Sequence, residues 1–392
     1  MKPDGLSRRE FLKRSYAFCL GCSMGSLLNL SAQDTLASIR ETRGMKEAMF
    51  YQPLGTDRGQ CLLCFRNCIL NNGERAFCRV REMQEDKLYT LVYGLPCVMR
   101  SNQIEINLLY HILPASNVLS IGTAGCNMRC KFCIAWTVSQ SRPEETVNFH
   151  LPPAEVVKQA QIHNCDFIAY TYSEATVYYE YMFDTARLAQ KNRLKNIYVT
   201  SGYINPEPLK MIAPYIDAMS IDMKGFDDRF LREFCAGSLE PLLKTTRLVK
   251  ELGIWLELTY IVLPSLNDNL EHIRKMCFWI RHNLGETTPL HFIRFLPVYK
   301  MSTLPLTPVS VLEKAREVAQ DAGLKFVYIG GVPGHPGENT YCPHCQKMLI
   351  ERRGYFLTQY FLANYNLKKG RCRFCRETIP GIWPDTPPPN LS

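Results

Sequence analysis

The 392-residue chain reads as an α/β protein: a partial (β/α)6-type barrel with small cysteine-rich metal modules at both ends. Three observations predict this. Strand and helix patterns alternate from about Val118 onward, one predicted strand is polar along a whole face, and eleven of the 17 cysteines fall into three tight groups. With 46% hydrophobic residues, a chain of this length can bury a sizeable core.

The strand patterns are Val118–Ile121, Phe167–Tyr172, Asn196–Thr200, Ala218–Lys224, Trp255–Val262, His291–Leu296 and Lys325–Ile329. Helical patterns lie between them at Pro153–Ile162, Thr176–Lys191, Leu239–Leu252, Leu270–Asn283 and Val311–Ala322. Repeated βα units build a parallel sheet, open or curled into a barrel. The fourth strand favours the barrel. Ala218, Ser220, Asp222 and Lys224 share one face, and Met219, Ile221 and Met223 the other. A strand of a doubly wound sheet is apolar on both faces, whereas a polar face suits a lumen that holds a ligand. Glu257 and Thr259 repeat the pattern in the next strand.

The chain divides accordingly into a signal (1–37), an N-terminal four-cysteine metal module with linker (38–100), the barrel (101–334), a C-terminal zinc-ribbon-like module (335–384) and a Pro-rich tail (385–392). Residues 38–60 are polar and read as linker, and 61–78 as too turn-rich for helix or strand. In the signal, Arg8-Arg9 with Phe11-Leu12-Lys13, a weakly apolar stretch and Thr35-Leu36-Ala37 form a twin-arginine pattern. It predicts export to the periplasm or anchoring in the membrane, a cytoplasmic protein being the alternative. No later run reaches about 18 apolar residues, so no further membrane span is expected.

The formal charge of +9 suggests acidic partners, but metal-bound thiolates offset it. Each zinc with four thiolates contributes about −2 and a three-cysteine cluster about −1, leaving about +4. Nucleic acid is not called for.

The decisive motif is Cys126-x3-Cys130-x2-Cys133, directly after the first strand and its Gly122-Thr123-Ala124-Gly125 lead-in. Barrel active sites sit at that end of the strands. Three thiolates leave one metal position open, as catalytic sites do and structural sites do not. With Phe132 before the last cysteine, the motif resembles the radical S-adenosylmethionine (SAM) superfamily. The order of "CLLCFRNC", "GTAGCNMRCKFC", "SIDMKGF", "LPSLNDN", "CPHC" and "RCRFC" along residues 55–384 is similar to the AmmeMemoRadiSam system radical SAM enzymes, in the branch of the pyruvate formate-lyase activating enzymes. Departures occur at Ser173-Glu174-Ala175, Ile134-Ala135-Trp136 and Gly330-Gly331.

The resemblance implies a [4Fe-4S] cluster on Cys126, Cys130 and Cys133 that cleaves SAM reductively to a 5′-deoxyadenosyl radical. It further implies an electron donor of flavodoxin or ferredoxin type, and a protein or small-molecule substrate activated or modified as in glycyl-radical activases. Glu174 is then expected to accept from the SAM ammonium group, with Asp222 and Lys224 near its carboxylate. Each has a plainer reading. Glu174 can be a helix-start acid after a Ser173 cap, and Asp222 and Lys224 can pair with each other or with Glu257. Asp268 and Glu271 read as a capping box, and His291 as a satisfied core histidine.

Two further groups complete the metal set. Cys342-x2-Cys345 and Cys372-x2-Cys375 form paired knuckles that predict zinc, an auxiliary iron–sulfur cluster being the alternative. They are separated by "GYFLTQYFLANY", which can house a hairpin or helix, and Arg352 and its basic neighbours stand close by. Cys61, Cys64, Cys68 and Cys78 read as zinc by default, with a second iron–sulfur cluster as the alternative. The scattered Cys97, Cys165, Cys235 and Cys277 read as small buried hydrophobes. The alternative to an enzyme is a zinc or iron–sulfur adaptor, or a nucleic-acid binder without SAM chemistry.

Overall fold

An eight-stranded sheet forms the frame. In chain order its strands are β1 (Val98–Gln103), β2 (Asn117–Gly122), β3 (Phe167–Tyr170), β4 (Lys195–Thr200), β5 (Ala218–Asp222), β6 (Trp255–Val262), β7 (Leu290–Arg294) and β8 (Val327–Gly330). They neighbour one another in that same order, and only the β1–β2 pair is antiparallel. The computed structural model describes residues 44–364, 369–384 and 388. The twin-arginine segment and most of the Pro-rich tail lie outside them.

All seven expected strands form, with ends shifted by a few residues. β1 has no counterpart in the sequence pattern, because Met99-Arg100-Ser101-Asn102-Gln103 is a half-exposed edge strand with no apolar alternation. It crosses the expected domain boundary at 100/101. Six helices fill the crossovers: α1 (Pro153–Ile162), α2 (Tyr179–Lys191), α3 (Pro206–Ile212), α4 (Leu239–Glu251), α5 (Leu270–Leu284) and α6 (Val309–Asp321). α3 is too short, at seven residues, to show a helical period.

Helices cover one face of the sheet only. Leu119, Ile121, Ile168, Tyr198, Met219, Ile221 and Leu258 share a core with Val156, Ala186, Val249 and Ile273 of the helices. The opposite face carries Val118, Phe167, Ala169, Ile197 and Ala218, and the segment after β1 covers it with Ile104, Leu109 and Ile112. One-sided cover, with a polar inner stripe through Ser220, Asp222, Glu257 and Thr259, makes this a partial barrel.

That segment plugs the bottom of the lumen. Glu257, fully buried, accepts from the backbone N–H groups of Tyr110 (3.0 Å) and His111 (2.8 Å), from Trp255 Nε1 (3.1 Å), and meets His291 Nε2 at 2.8 Å. His291 is therefore the satisfied core histidine of its plainer reading on this nitrogen, and Glu257 is partnered there rather than with Lys224. His111 bridges Pro380 O (2.7 Å) and Tyr328 Oη (2.6 Å), tying plug to C-terminal module.

From Gly44 on, the region read as linker is structured. Short strands at Lys46–Glu47, Tyr51–Pro53, Arg58–Cys61 and Ile69–Asn71 run through it and into the cysteine-dense stretch. Backbone pairing with side chains half exposed leaves too little apolar period to see. The C-terminal module consists of two three-stranded sheets, one per knuckle. Arg352 is 2% exposed and donates to Thr340 Oγ1 (2.8 Å) and Tyr110 O (3.1 Å), so it belongs to the module's core and not to a basic surface. Two helix starts also differ from expectation. Glu174, not Ser173, caps the turn Ala175–Tyr178, and Asn269, not Asp268, caps α5.

The plug titrates. Burial raises the Glu257 pKa, but the His291 hydrogen bond and the nearby histidines outweigh it and hold the carboxyl down at about 2. Burial holds His111 down at about 4. Both depressions place the lost stability on the acid side: His111 from about pH 6.5 to 4, Glu257 from about pH 4.5 to 2. Glu257→Gln is expected to cost roughly 3 kcal/mol at pH 7, the difference from wild type closing as pH falls through the lower window. Denaturant unfolding across pH checks it.

Candidate functional site

The cysteine loop leaves β2 at Gly122. Gly125 has φ of +89°, and a Cβ there would lie 2.6 Å from the Cys78 carbonyl oxygen and 2.5 Å from a Val80 methyl. The loop therefore lies flat against the N-terminal module. Its other side is held by the turn Leu231–Cys235, which lies between β5 and α4 in sequence. Arg129 N donates to Cys235 O (2.9 Å) and Lys131 N to Phe234 O (2.8 Å). Asn127 Nδ2 donates to Tyr203 O (2.9 Å), and Arg129 Nη1 reaches back to Cys126 O (2.8 Å).

So pinned, the loop turns Cys126, Cys130, Phe132 and Cys133 into one cavity of about 260 Å3. Most of the opposite lining comes from the C-terminal ends of β3, β4 and β5 and the residues just after them: Thr171–Ser173, Thr200–Ser201, Asp222 and Lys224, with Ile261 of β6 beside them. A larger groove of about 720 Å3 between α6 and the C-terminal module lies apart from these groups.

Asp222 and Lys224 pair with each other, and Thr259 donates to the carboxylate's other oxygen. Burial opposes the Lys224 charge, yet Asp222 and the thiols of Cys130 and Cys133 outweigh it and raise its pKa above that of an ordinary lysine. A fixed positive charge thus stands beside the thiols. Glu174 is fully buried behind this wall. Its Oε1 accepts from Thr176 N (3.1 Å), Thr176 Oγ1 (2.7 Å) and Thr200 Oγ1 (2.6 Å), and its Oε2 from Ser201 N (2.9 Å). It orders Thr200 and Ser201, which line the cavity, while it does not line it itself among the described residues. Ser173 does, and its buried hydroxyl has no partner among the described residues.

Cys235 is the residue that sequence reading missed. It is fully buried, and its thiol hydrogen-bonds to Cys130, the leading cause of a Cys130 pKa below that of an ordinary thiol. Nothing in its sequence position signals this. Ser173, Thr200 and Ser201 were findable, since polar residues at or just past the C-terminal ends of parallel strands line barrel sites.

Three thiols, two buried and one half-buried, with no fourth on the loop, a neighbouring ammonium and an unpartnered hydroxyl fit a thiolate-held cluster with one open iron and a charged ligand beside it. Residues 120–277 match the Radical SAM superfamily. The chain belongs to the radical SAM superfamily. A protein of Methanocaldococcus jannaschii, described as uncharacterised, is 45% identical over 335 residues, covering 86% of this chain and 99% of that one. Another from the same organism is 22% identical over 284 residues, covering 68% and 76%. A solved radical SAM methyltransferase from Sphaerobacter thermophilus is 14% identical, with a TM-score of 0.45 over 64% of this chain and 82% of the other. This radical SAM protein is an enzyme of that class, whose fold implies a [4Fe-4S] cluster and SAM.

The eight remaining motif cysteines fall into two places. Cys61, Cys64, Cys68 and Cys78 line a second, small cavity on the far side of the cluster loop. Cys342, Cys345, Cys372 and Cys375 bring their sulfurs within 4.8 Å of one another, a group that could hold a metal ion. Their knuckles are twins. Cys342 N donates to Lys347 O and Gln346 N to Cys342 O, as Cys372 N does to Glu377 O and Arg376 N to Cys372 O. Gln346 and Arg376 both take left-handed φ, 58° and 68°.

Removing the cation from the Asp222–Lys224 pair leaves a half-buried carboxylate with the Thr259 hydrogen bond but without its counter-charge. Lys224→Met is expected to cost about 1–2 kcal/mol, and adding Asp222→Asn to recover more than half of the loss. Chemical denaturation of the two variants against wild type measures both.

Proposed function

We propose that this radical SAM enzyme is of the AmmeMemoRadiSam type and activates or modifies a protein or small-molecule substrate, in the manner of a glycyl-radical activase. The observation that carries the reading is a single cavity shared by three thiols and the Asp222–Lys224 pair. Cys126, Cys130 and Cys133 would hold the [4Fe-4S] cluster, which when bound supplies the electron that splits the SAM sulfonium into methionine and a 5′-deoxyadenosyl radical.

The chain's own residues do the positioning. Lys224 offers its ammonium to the SAM carboxylate, and Asp222, fixed by Thr259, aims it. Ser173, Thr200 and Ser201 offer hydroxyls to the polar groups of SAM, and Glu174 behind them sets a negative potential suited to its ammonium. Phe132 and Ile261 supply apolar wall, which keeps water from a reactive radical. The paired C-terminal knuckles hold zinc in this reading, since their sulfur spacing suits one tetrahedral ion. The reductant is a flavodoxin or ferredoxin type donor.

The anaerobic, reconstituted protein given SAM and dithionite is expected to release 5′-deoxyadenosine, and Cys133→Ala to release none. Wild-type protein that carries its cluster yet forms no 5′-deoxyadenosine defeats the reading. A glycyl EPR doublet on a co-encoded partner is the outcome expected of an activase.

The Arg8-Arg9 segment directs the protein to the export machinery, for release to the periplasm or anchoring in the membrane. Among the described residues, no helix is long and apolar enough to cross a membrane. Changing both arginines to lysine is expected to shift the protein to the soluble cytosolic fraction. An unchanged distribution counts against the signal.

A further inference from the structure

The cluster loop is one chain thick and has cysteines on both sides. Cys126, Met128 and Cys130 line the SAM-site cavity, while Asn127, between them, lines the cavity of Cys61, Cys64, Cys68 and Cys78. Arg66 Nε donates to Asn127 O at 2.9 Å, and the Cys78 carbonyl sits against Gly125. Two thiol sites thus adjoin across a single peptide segment.

We infer that Cys61, Cys64, Cys68 and Cys78 hold a second [4Fe-4S] cluster, with all four irons ligated by the chain. Thiolates on one zinc stand about 3.8 Å apart at a Zn–S distance of about 2.3 Å, and the C-terminal four satisfy that within 4.8 Å. Among the described residues no other group of three or more such ligands is drawn so close. No three of the N-terminal four meet that spacing, and Cys126, Cys130 and Cys133 do not either, yet all four N-terminal thiols line one common cavity. A cubane, with irons on alternate corners, separates its thiolates by about 6 Å.

The surroundings suit a cluster with net negative charge. Arg81, 1% exposed, donates through Nη1 to Cys61 Sγ at 3.6 Å and ion-pairs with the buried Glu180. The Arg66 guanidinium stacks on Phe77, 3.6 Å from the ring centre, at the cavity's edge. Hydrogen bonds to the sulfurs and limited solvent access are the features by which a protein sets a cluster's potential. With no open iron this cluster cannot bind SAM, and one-electron exchange is its remaining chemistry.

Metal analysis of anaerobically purified, full-length protein tests the inference without any substitution. About eight irons and one zinc per chain are expected; about four irons and two zincs overturn it. The triple variant Cys126→Ala, Cys130→Ala, Cys133→Ala is expected to keep about four irons and, after dithionite, an EPR signal of a reduced cubane. A folded triple variant with no iron and an extra zinc overturns the inference. Iron that survives in this variant, beside a wild type that never cleaves SAM, would sink the proposed function and leave the second cluster standing.

Discussion

Close contact between the cluster loop and its two supports is the constraint on which the site depends. The loop has little secondary structure of its own, so its shape comes from what it touches. On one side Gly125 lies against the Cys78 carbonyl, where any Cβ would collide. On the other, the carbonyls of Phe234 and Cys235 take the N–H groups on either side of Cys130. Only between these two surfaces do Cys126, Cys130 and Cys133 face one cavity. The N-terminal module therefore backs the loop that forms the active-site wall, and from Gly44 onward the chain forms one compact unit.

Charge is distributed along the lumen with similar economy. Glu257 and Thr259 lie two residues apart on the same face of β6, about 7 Å along the strand. The first faces the plug and satisfies its backbone N–H groups; the second faces the site and fixes Asp222. The bottom of the barrel thus carries a closed network of Glu257, His291, His111 and Tyr328. The top carries a pair with room for a ligand. Buried charges of this kind are tolerated only when paired and hydrogen-bonded, which is why the same polar stripe can serve structure at one end and chemistry at the other.

Much of this was legible in the residues. Alternation in Ala218–Lys224 gave away a polar lumen, and the C-x3-C-x2-C spacing after a strand gave away three thiols that share one cavity. Misreadings came where a local rule met a tertiary competitor. Asp268 and Ser173 looked like caps, but Asn269 and Glu174 stand where the backbone turns and take the N–H groups. Arg352 looked like part of a basic face, but the Tyr110 and Glu338 carbonyls draw it inward. Residues 38–60 looked like linker because the short strands from Lys46 on keep most of their side chains partly exposed and leave no apolar signature.

By itself the sequence determined the order of βα units and the membership of each cysteine group, since periodicity and spacing are local properties of the chain. Tertiary structure alone decided that helices cover one face only, that Cys235 joins Cys130, and that Glu174 stands behind the cavity wall. It also decided that the N-terminal thiols lie one peptide segment from the SAM site. These are contacts between residues far apart in sequence, and only packing brings them together.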